Sequence, residues 1–298
     1  MNPVLRRSYS EATARQRVAA LMDPGSFREL VPPADKCTSP HLDAFRVPVS
    51  LDDGVVIGDA RAAGRPIGLF AQEGRFLGGA IGEIHSAKIV GLIRRAIRVK
   101  AAAVVGLLDS GGVRLQEANA GEIGVSEILR AVFDARAAGI PVIGLVGGAS
   151  GVFGGAGILS GCCDVLIVSD HGRVGVSGPE VIETTQGVEA FDSRDRALVW
   201  RTTGGKHRYL LGVAGMLVDD DLDAFRRALA ETLEQPPRPP VDGVERGWQE
   251  LERRWNDWGA CRDAVEIWRA MGIREPERIP DLDVAAVRAA RPRRGERP

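Results

Sequence analysis

The stretch that decides the fold is IPVIGLVGGASGVFGGAGILSGCCDVLIVSDHGRVGVSG, residues 140–178. It begins with a short apolar run typical of a buried strand. A glycine-rich bend, an apolar helix, a second buried strand and another glycine turn follow. Glycine lets the backbone approach a ligand closely, and a helix N-terminus adds unpaired N–H donors. This order of segments predicts a site for an oxygen that carries or gains negative charge, such as that of a thioester enolate.

Outward from this stretch, predicted strands and helices alternate along the chain. Strands are predicted at 55–60, 65–72, 101–109, 140–146 and 164–169. Apolar residues at helical spacing follow at 89–97 and 125–133. This alternation predicts an α/β fold with parallel strand pairing. The glycine turns at 110–112 and 147–157 each follow a buried strand and precede a helix, so we expect them to contribute to one shared site.

The two ends of the chain differ from this middle part. Residues 10–22 predict an amphipathic helix with Ser10 as its N-cap. PPRPP at 236–240 predicts a stiff linker, and the basic sequence AVRAARPRRGERP at the end predicts a disordered tail. Between them we expect one helix with a broad apolar face formed by Trp248, Leu251, Trp255, Trp258, Val265 and Trp268. That face either packs on its own domain or binds a partner.

The composition is that of an ordinary globular protein. Of the 298 residues 44% are hydrophobic and 27% charged, and the net charge of -1 gives no reason to expect nucleic acid or a membrane as partner. The absence of an apolar signal segment predicts a cytoplasmic protein. The four cysteines form no C-x-x-C pair and the four histidines are far apart, so we expect no metal site.

Several nucleotide and hydrolase motifs are missing from the glycine turns. No G-x-G-x-x-G lies at a strand–helix junction, and neither a P-loop nor a G-x-S-x-G nucleophile elbow occurs. Ser150, Asp170 and His171 are the residue types of a serine-hydrolase triad, and their spacing alone does not exclude such a site. We expect Ser150 to support its loop instead.

Four motifs in this order resemble the biotin-dependent carboxyltransferases of the crotonase-like superfamily. They are LGGAIGEIHSAKI at 77–89, DSGGVRLQE at 109–117, the stretch from residue 140, and GPEVIETT at 178–185. Within that family the run TTQGVEAFDSRDRALVWRTTGGKHRYLLG at 184–212 is similar to the β subunits of biotin-independent malonate decarboxylases.

The resemblance implies a crotonase-like carboxyltransferase fold of repeated ββα units. We expect it to occupy residues 1–235, with a Trp-rich helical extension over 236–275 and a flexible basic tail over 276–298. It also implies a subunit that converts malonyl thioester to acetyl thioester and CO2. The substrate would arrive on the phosphopantetheine arm of an acyl carrier protein, loaded by a transferase subunit, with no directly bound cofactor. A γ subunit would supply the second half of the site.

The resemblance also implies roles for individual residues. Gly154 and Gly155 are the first choice as backbone oxyanion donors, with Gly111 and Gly112 as the pair from the other turn. The remaining candidates are polar residues and reserve glycines near the same turns. Glu117 and His85 are acid candidates, and possible substrate contacts are Gly147, Gly148, Ser150, Arg114 and Lys88.

Two other functions stay open at this point. One is the carboxyltransferase β subunit of a biotin-dependent acyl-CoA carboxylase, which would move CO2 between carboxybiotin and an acyl-CoA. The other is a non-catalytic scaffold for the γ subunit. These hypotheses differ in whether biotin is needed and in whether the glycine turns carry the chemistry.

Overall fold

A twisted mixed sheet organises the chain in the computed structural model, which describes residues 7–237 and 243–292. Within these residues the sheet has seven strands in chain order. They are β1 (Arg28–Leu30), β2 (Val55–Ala62), β3 (Arg65–Gln72), β4 (Ala103–Leu108), β5 (Val142–Val146), β6 (Val165–Ser169) and β7 (Met216–Val218). β1, β2 and β3 pair antiparallel, whereas β3 to β7 pair parallel. The predicted α/β fold with parallel pairing is confirmed.

Helices cover both faces of this sheet. They are α1 (Ala14–Leu21), α2 (Glu83–Arg98), α3 (Asn119–Ala137), α4 (Gly154–Gly161), α5 (Pro179–Gln186), α6 (Arg196–Thr203), α7 (Gly205–Leu210), α8 (Leu222–Glu234), α9 (Gly243–Trp258), α10 (Ala264–Ala270) and α11 (Val284–Ala290). Short 3-10 turns lie at Pro33–Asp35, Leu42–Phe45, Leu77–Gly79, Leu115–Glu117 and Pro276–Asp281. In the described part of the chain, none of these helices has the length and apolar character needed to span a bilayer.

The core consists of two apolar layers separated by the sheet. Side chains of a strand alternate between its faces. In β4, Val104 and Leu108 therefore pack toward α2 and α3, whereas Val105 and Leu107 pack toward α1 and α8. Burial of each such side chain contributes about 1.5–3 kcal/mol. The strands are apolar throughout because both of their faces are buried.

A second, shorter ladder forms where the chain leaves each parallel strand. Parallel bridges join Ile81 to Val113, Ser110 to Val152, and Val152 to Val174. Each of these segments lies between a strand of the main sheet and the helix that follows. This strand, short strand and helix sequence repeats along the chain, as expected for repeated ββα units.

The first helix begins later than predicted. Thr13, not Ser10, is the N-cap of α1. The Thr13 hydroxyl accepts from the Gln16 N–H at 3.2 Å, and the Gln16 side chain accepts from the Thr13 N–H at 2.9 Å. This reciprocal pair gives acceptors to two backbone N–H donors at the start of α1, which an N-cap at Ser10 would leave without them. Ser10 instead donates its N–H to Asp220 at 2.8 Å, which fixes the chain before α1 to the loop before α8.

The predicted tryptophan-rich helix is two helices, because the chain turns between Gly259 and Asp263. Asp263 caps α10 by accepting from the Val265 N–H. Trp268 of α10 is fully buried and donates its indole N–H to His207 Nδ1 at 3.2 Å. α9 buries none of its residues, and Trp248 and Trp255 are exposed. α10 thus packs on its own domain, whereas the face of α9 is open. Of the predicted linker, residues 238–240 lie outside the described part.

The prediction of a flexible tail from residue 276 is wrong for residues 276–292. α11 is capped by Asp283, and its Val284 and Val287 are buried. Arg288 donates to the carbonyl of Leu217 at 2.7 Å, next to the end of β7. The spacing of the two valines therefore gives this basic segment an apolar helix face that packs against the domain. Residues 293–298 lie outside the described part.

We expect Trp268→Ala to destabilise the protein by about 3–5 kcal/mol, because it removes a buried indole and leaves a cavity. Urea unfolding and limited proteolysis of residues 264–292 measure this loss. Trp255→Ala is the matched control, since that indole is 75% exposed and should change stability by less than about 0.5 kcal/mol. Equal effects of the two substitutions would contradict the packing of α10.

Candidate functional site

The two glycine turns lie against each other, as the sequence predicted. The N–H of Ser110 donates to the carbonyl of Gly151 at 2.7 Å, and the N–H of Phe153 donates back to Ser110 at 2.9 Å. A Cβ added to Gly154 would lie 3.1 Å from the Cα of Gly112. A side chain on Gly154 would therefore be crowded at this contact. Backbone groups from both turns therefore reach one place.

Three of the four candidate donor glycines already use their N–H groups within the chain. The acceptors are the Gly78 carbonyl for Gly111 at 2.8 Å, the Ser110 hydroxyl for Gly112 at 3.2 Å and the Val176 carbonyl for Gly154 at 2.8 Å. A donor that is already bonded has little to offer a substrate oxygen. The structure therefore disfavours Gly111, Gly112 and Gly154 as donors.

The N-terminus of α4 supplies the donor that remains. Gly154 is its first residue and has φ +55°, a conformation that favours glycine. Phe153 is the N-cap, and among the described residues no side chain caps the helix. The N–H groups of Gly155 and Ala156 have no acceptor within the described residues. Both donors also lie at the positive end of the helix dipole.

Val113 provides a second donor, which the sequence analysis missed. Its neighbours Gly112 and Arg114 both bond to Ile81 on one side, through the Gly112 carbonyl and the Arg114 N–H. In an extended chain, the N–H between them points the opposite way. The Val113 N–H accordingly has no acceptor in the described chain. Its nitrogen lies 3.9 Å from where a Cβ on Gly154 would be, and so beside the start of α4.

Asp109 holds the two turns to the N-terminal helix. Arg17 donates to one of its carboxylate oxygens at 2.8 Å, and the N–H of Ser150 donates to the other at 2.9 Å. Both side chains of the ion pair are almost fully buried. Burial raises the pKa of Asp109, and the Arg17 cation opposes that shift. The carboxylate therefore acts as an internal anchor for the second turn.

The reserve glycines and Ser150 have structural environments. A Cβ on Gly148 would lie 2.0 Å from the Asp109 carboxyl carbon, and one on Gly147 would lie 2.8 Å from the Tyr9 ring. These positions need glycine because the core comes so close. The Ser150 hydroxyl donates to the Gly74 carbonyl at 3.2 Å, which agrees with a loop-supporting role.

Arg114 is fully buried in an ion cluster. Its Nη1 donates to Asp53 at 2.9 Å and to Glu117 at 2.7 Å. Its Nη2 donates to the Ala80 carbonyl at 3.2 Å. Glu117 in turn accepts from the N–H of Glu83, the first residue of α2, at 2.6 Å. The cluster joins the first turn to α2, which disfavours the predicted contact of Arg114 with a substrate anion.

Glu117 is a poor proton donor in this setting. Burial alone would raise its pKa, but hydrogen bonds from the Glu83 N–H and from Arg114 outweigh it, and the pKa is lowered. The carboxylate is therefore ionised at neutral pH and has no proton to give. Burial raises the pKa of Asp53, its neighbour across Arg114.

His85 and Lys88 are also bonded inside the domain. His85 lies 3.2 Å through Nδ1 from the Asp53 carbonyl and 3.1 Å through Nε2 from the Gln72 amide. Burial, aided by the Arg114 cation, lowers the pKa of His85 to about 3. Lys88 donates to the Asp52 carbonyl at 2.8 Å, and burial lowers its pKa. The structure thus favours structural roles for both residues.

The chemistry that the site offers is that of neutral backbone donors. The charged residues predicted around it are buried and bonded within the domain. In the described residues no group of three histidine, cysteine, aspartate or glutamate side chains is arranged to hold a metal ion. The pair formed by Val113 and Gly155 suits an oxygen that gains negative charge.

Comparison with known sequences gives matches over most of the chain. The profile of the carboxyl transferase domain matches residues 6–250. The malonyl-S-ACP:biotin-protein carboxyltransferase of Malonomonas rubra is 36% identical over 293 residues, 92% of each chain. The carboxyltransferase subunit of the Haloferax mediterranei propionyl-CoA carboxylase is 31% identical over 245 residues, which cover 80% of this chain and 46% of that subunit.

Comparison with solved structures gives the same grouping. A chain of the Pseudomonas malonate decarboxylase hetero-tetramer in complex with malonate superimposes with a TM-score of 0.83 and 38% identity, covering 89% of this chain and 98% of that one. A chain of the Pseudomonas hetero-dimer gives a TM-score of 0.68 and 36% identity, covering 84% and 97%. The resemblance to carboxyltransferases and malonate decarboxylases predicted from the motifs is confirmed, and so is the crotonase-like fold.

The buried histidines predict a pH dependence of stability. The pKa of both His85 and His207 is lowered to about 3 in the folded chain, from an ordinary value of 6.5. Between these values the unfolded chain binds protons that the folded chain does not. Their stabilisation is therefore complete above pH 6.5 and is lost as pH falls toward 3, by about 1.4 kcal/mol per pH unit for each histidine.

Urea unfolding at pH 4–7 measures this slope. We expect His85→Gln to reduce the slope of the unfolding free energy against pH by the contribution of one titrating histidine. An unaltered slope in His85→Gln would mean that this histidine is charged in the folded protein.

Proposed function

The chain belongs to the carboxyl transferase domain family, and from this premise we propose that it is a catalytic subunit of a malonyl-S-acyl-carrier-protein decarboxylase. In this reaction the bond between the carboxylate carbon and the α-carbon of the malonyl thioester breaks. Its electron pair passes to the α-carbon and onto the thioester oxygen as CO2 leaves. A proton then converts the enolate to acetyl thioester.

The observation that carries this proposal is the pair of backbone donors where the turns meet. The N–H groups of Val113 and Gly155 lack acceptors among the described residues, and they come from turns that are in contact. Both are directed by main-chain geometry and not by mobile side chains. Such preorganised donors stabilise the developing enolate oxygen more than the neutral carbonyl, and so lower the barrier.

The proton for the enolate comes from water or from a residue of the partner. Glu117 is ionised and His85 is neutral with both ring nitrogens bonded, so neither is suited to donate it. An enclosed site would also favour departure of CO2 by removing water from the carboxylate. The open face of this chain requires another subunit to provide that enclosure.

Apolar side chains around the turns support a γ subunit as that partner. Leu115 follows the first turn, Ile158 lies one helical turn beyond Gly154, and Val176 lies opposite Gly154. They are 86%, 46% and 66% exposed, respectively. Two relatives of known structure, both from Pseudomonas malonate decarboxylase, are chains of a hetero-tetramer and a hetero-dimer. We infer that a second carboxyltransferase-like fold covers this face, and that an acyl carrier protein loaded by a transferase subunit delivers the substrate.

No directly bound cofactor is part of this proposal. The substrate would carry its own phosphopantetheine arm, and the enolate would be held by backbone donors. We also propose a cytoplasmic location and the division into a carboxyltransferase domain followed by a helical extension.

A second candidate function rests on one of the sequence relatives. The Malonomonas rubra protein is a malonyl-S-ACP:biotin-protein carboxyltransferase. Its name describes transfer of the carboxyl group to biotin in place of release as CO2. The same enolate would form in both reactions, so the donor pair is compatible with either. A scaffold role without catalysis is the third possibility, and it would leave the turns without chemistry.

Substitution at Gly155 tests whether the turns are catalytic. A Cβ at this position would lie 2.7 Å from Val125 and 3.3 Å from Val113, so Gly155→Val should displace the donors. We expect kcat for the complex with the γ subunit to fall by about 10²–10³ or more. Gly161→Ala is the control in the same helix, because a Cβ there meets nothing within 4 Å. Unchanged turnover in an assembled Gly155→Val complex would support the scaffold.

The fate of the carboxyl group distinguishes the two enzyme functions. We expect malonyl-phosphopantetheine thioester labelled at the free carboxylate to yield labelled CO2 when the chain is combined with its γ partner and no biotin is present. Trapping of the released gas measures this reaction. If the label remains on the thioester until a biotin protein is added, the assignment moves to the carboxyltransferase.

A further inference from the structure

Arg173 is a half-buried arginine that contacts the second glycine turn, residues 147–157. Burial lowers its pKa, and the carboxylates of Glu180 and Asp109 oppose this shift only in part. Its Nε is buried, and no hydrogen-bond partner for it lies within the described residues. A buried and incompletely bonded cation lowers stability. Its presence beside the turn therefore calls for a functional explanation.

The peptide group between Ala149 and Ser150 connects Arg173 to Asp109. Arg173 Nη2 donates to the carbonyl of Ala149, and the N–H of Ser150 donates to the Asp109 carboxylate at 2.9 Å. This carbonyl and this N–H belong to one planar peptide unit. A cation therefore lies at its oxygen and an anion at its N–H, and hydrogen bonds to charged groups are stronger than neutral ones. The two charged groups fix the orientation of this peptide plane within the turn.

Arg173 also supports the part of the turn that leads into α4. The N–H of Val152 donates to the Arg173 carbonyl at 2.9 Å. A Cβ added to Gly151 would lie 3.2 Å from the Arg173 Cβ, so the turn packs directly on the arginine here. The guanidinium carbon lies 5.7 Å from the centroid of the Phe153 ring. Phe153 is the N-cap of α4, and the Gly155 N–H follows two residues later.

The arginine is itself fixed by contacts with α6 and α7. Its guanidinium carbon lies 4.8 Å from the centroid of the Trp200 ring, in α6. The next residue, Val174, donates its N–H to the Thr203 carbonyl at 2.8 Å, and its own carbonyl accepts from Arg208 Nε at 2.8 Å. Arg173 is thus held through both its side chain and the backbone that follows it. A group held in this way can determine the geometry of the turn that it contacts.

We propose that Arg173 is a positioning residue for the reaction at the glycine turns. Its guanidinium holds the peptide between Ala149 and Ser150 against Asp109, and this places the Gly155 N–H where the substrate oxygen gains charge. The role rests on the function proposed above and requires no contact between the arginine and the substrate. A misplacement of about 1 Å can lower a rate about 10²-fold. Because the donor acts mainly on the transition state, its displacement should lower kcat more than it changes KM.

Steady-state kinetics of the complex with the γ subunit test this role. We expect Arg173→Met to lower kcat by about 10–10²-fold with little change in KM for the malonyl thioester. Arg173→Lys keeps a charged donor for the Ala149 carbonyl and should retain a larger share of kcat. Arg196→Met is the matched control and should leave kcat unchanged, since Arg196 lies 5.2 Å from the centroid of the same Trp200 ring but is exposed. Unchanged kcat in Arg173→Met, or equal losses in Arg173→Met and Arg173→Lys, would overturn the proposal.

Amide hydrogen exchange of the full chain gives a second readout that requires no turnover. In Arg173→Met we expect faster exchange of the amides of residues 147–158 and unchanged exchange in β4, which pairs with a strand on each side. Equal acceleration in β4 would indicate a general loss of stability and would contradict a positioning role. If Gly155→Val retains turnover, the proposed function fails whatever the exchange shows. If Gly155→Val is inactive while Arg173→Met keeps full activity, only the positioning role fails.

Discussion

The buried cluster of Arg114, Asp53 and Glu117 is the constraint on which the site depends. Removing three charges from water is costly, and the cost is offset only when geometry and hydrogen bonding are good. Here both carboxylates lie within 2.9 Å of one guanidinium nitrogen, and Glu117 also receives the first N–H of α2. The cluster fixes the first turn relative to β2 and α2. The Arg17–Asp109 pair fixes the second turn to α1 in the same way. Buried charges thus position both turns, and the donors left without acceptors among the described residues are neutral backbone N–H groups.

Apolar periodicity and glycine placement were sufficient to predict the sheet and the meeting of the turns. A strand buried on both faces is apolar throughout, and a helix repeats its apolar residues every three to four positions, so both patterns are local. The donors could not be predicted to the residue, because their availability depends on distant acceptors. The carbonyls of Gly78 and Val176 occupy Gly111 and Gly154, and nothing near either glycine in sequence indicates this. Arg114 and Glu117 posed the opposite difficulty, since a charged residue beside a glycine turn has the same local sequence whether it is buried or catalytic.

The helical extension shows how burial separates residues that look alike in sequence. Trp255 and Trp268 have similar apolar spacing, but only Trp268 finds a matching surface, formed by His207 and its neighbours. The basic composition of the tail predicts disorder, although the tail contains two valines. Those valines pack, and the arginine after them is bonded to the carbonyl of Leu217. A helix that packs against an already folded domain needs few apolar residues. The average composition of a segment does not reveal so small a number.

The uncapped start of α4 has a consequence for how this protein could be stabilised. A serine, threonine, asparagine or aspartate at an N-cap typically adds about 1 kcal/mol by accepting from the second or third N–H of its helix. Phe153 holds that position, and those N–H groups belong to Gly155 and Ala156. A capping side chain would satisfy the donor that we propose for the substrate oxygen, and it would then act as a permanently tethered inhibitor. At position 153, a substitution that raises thermal stability is therefore expected to lower turnover.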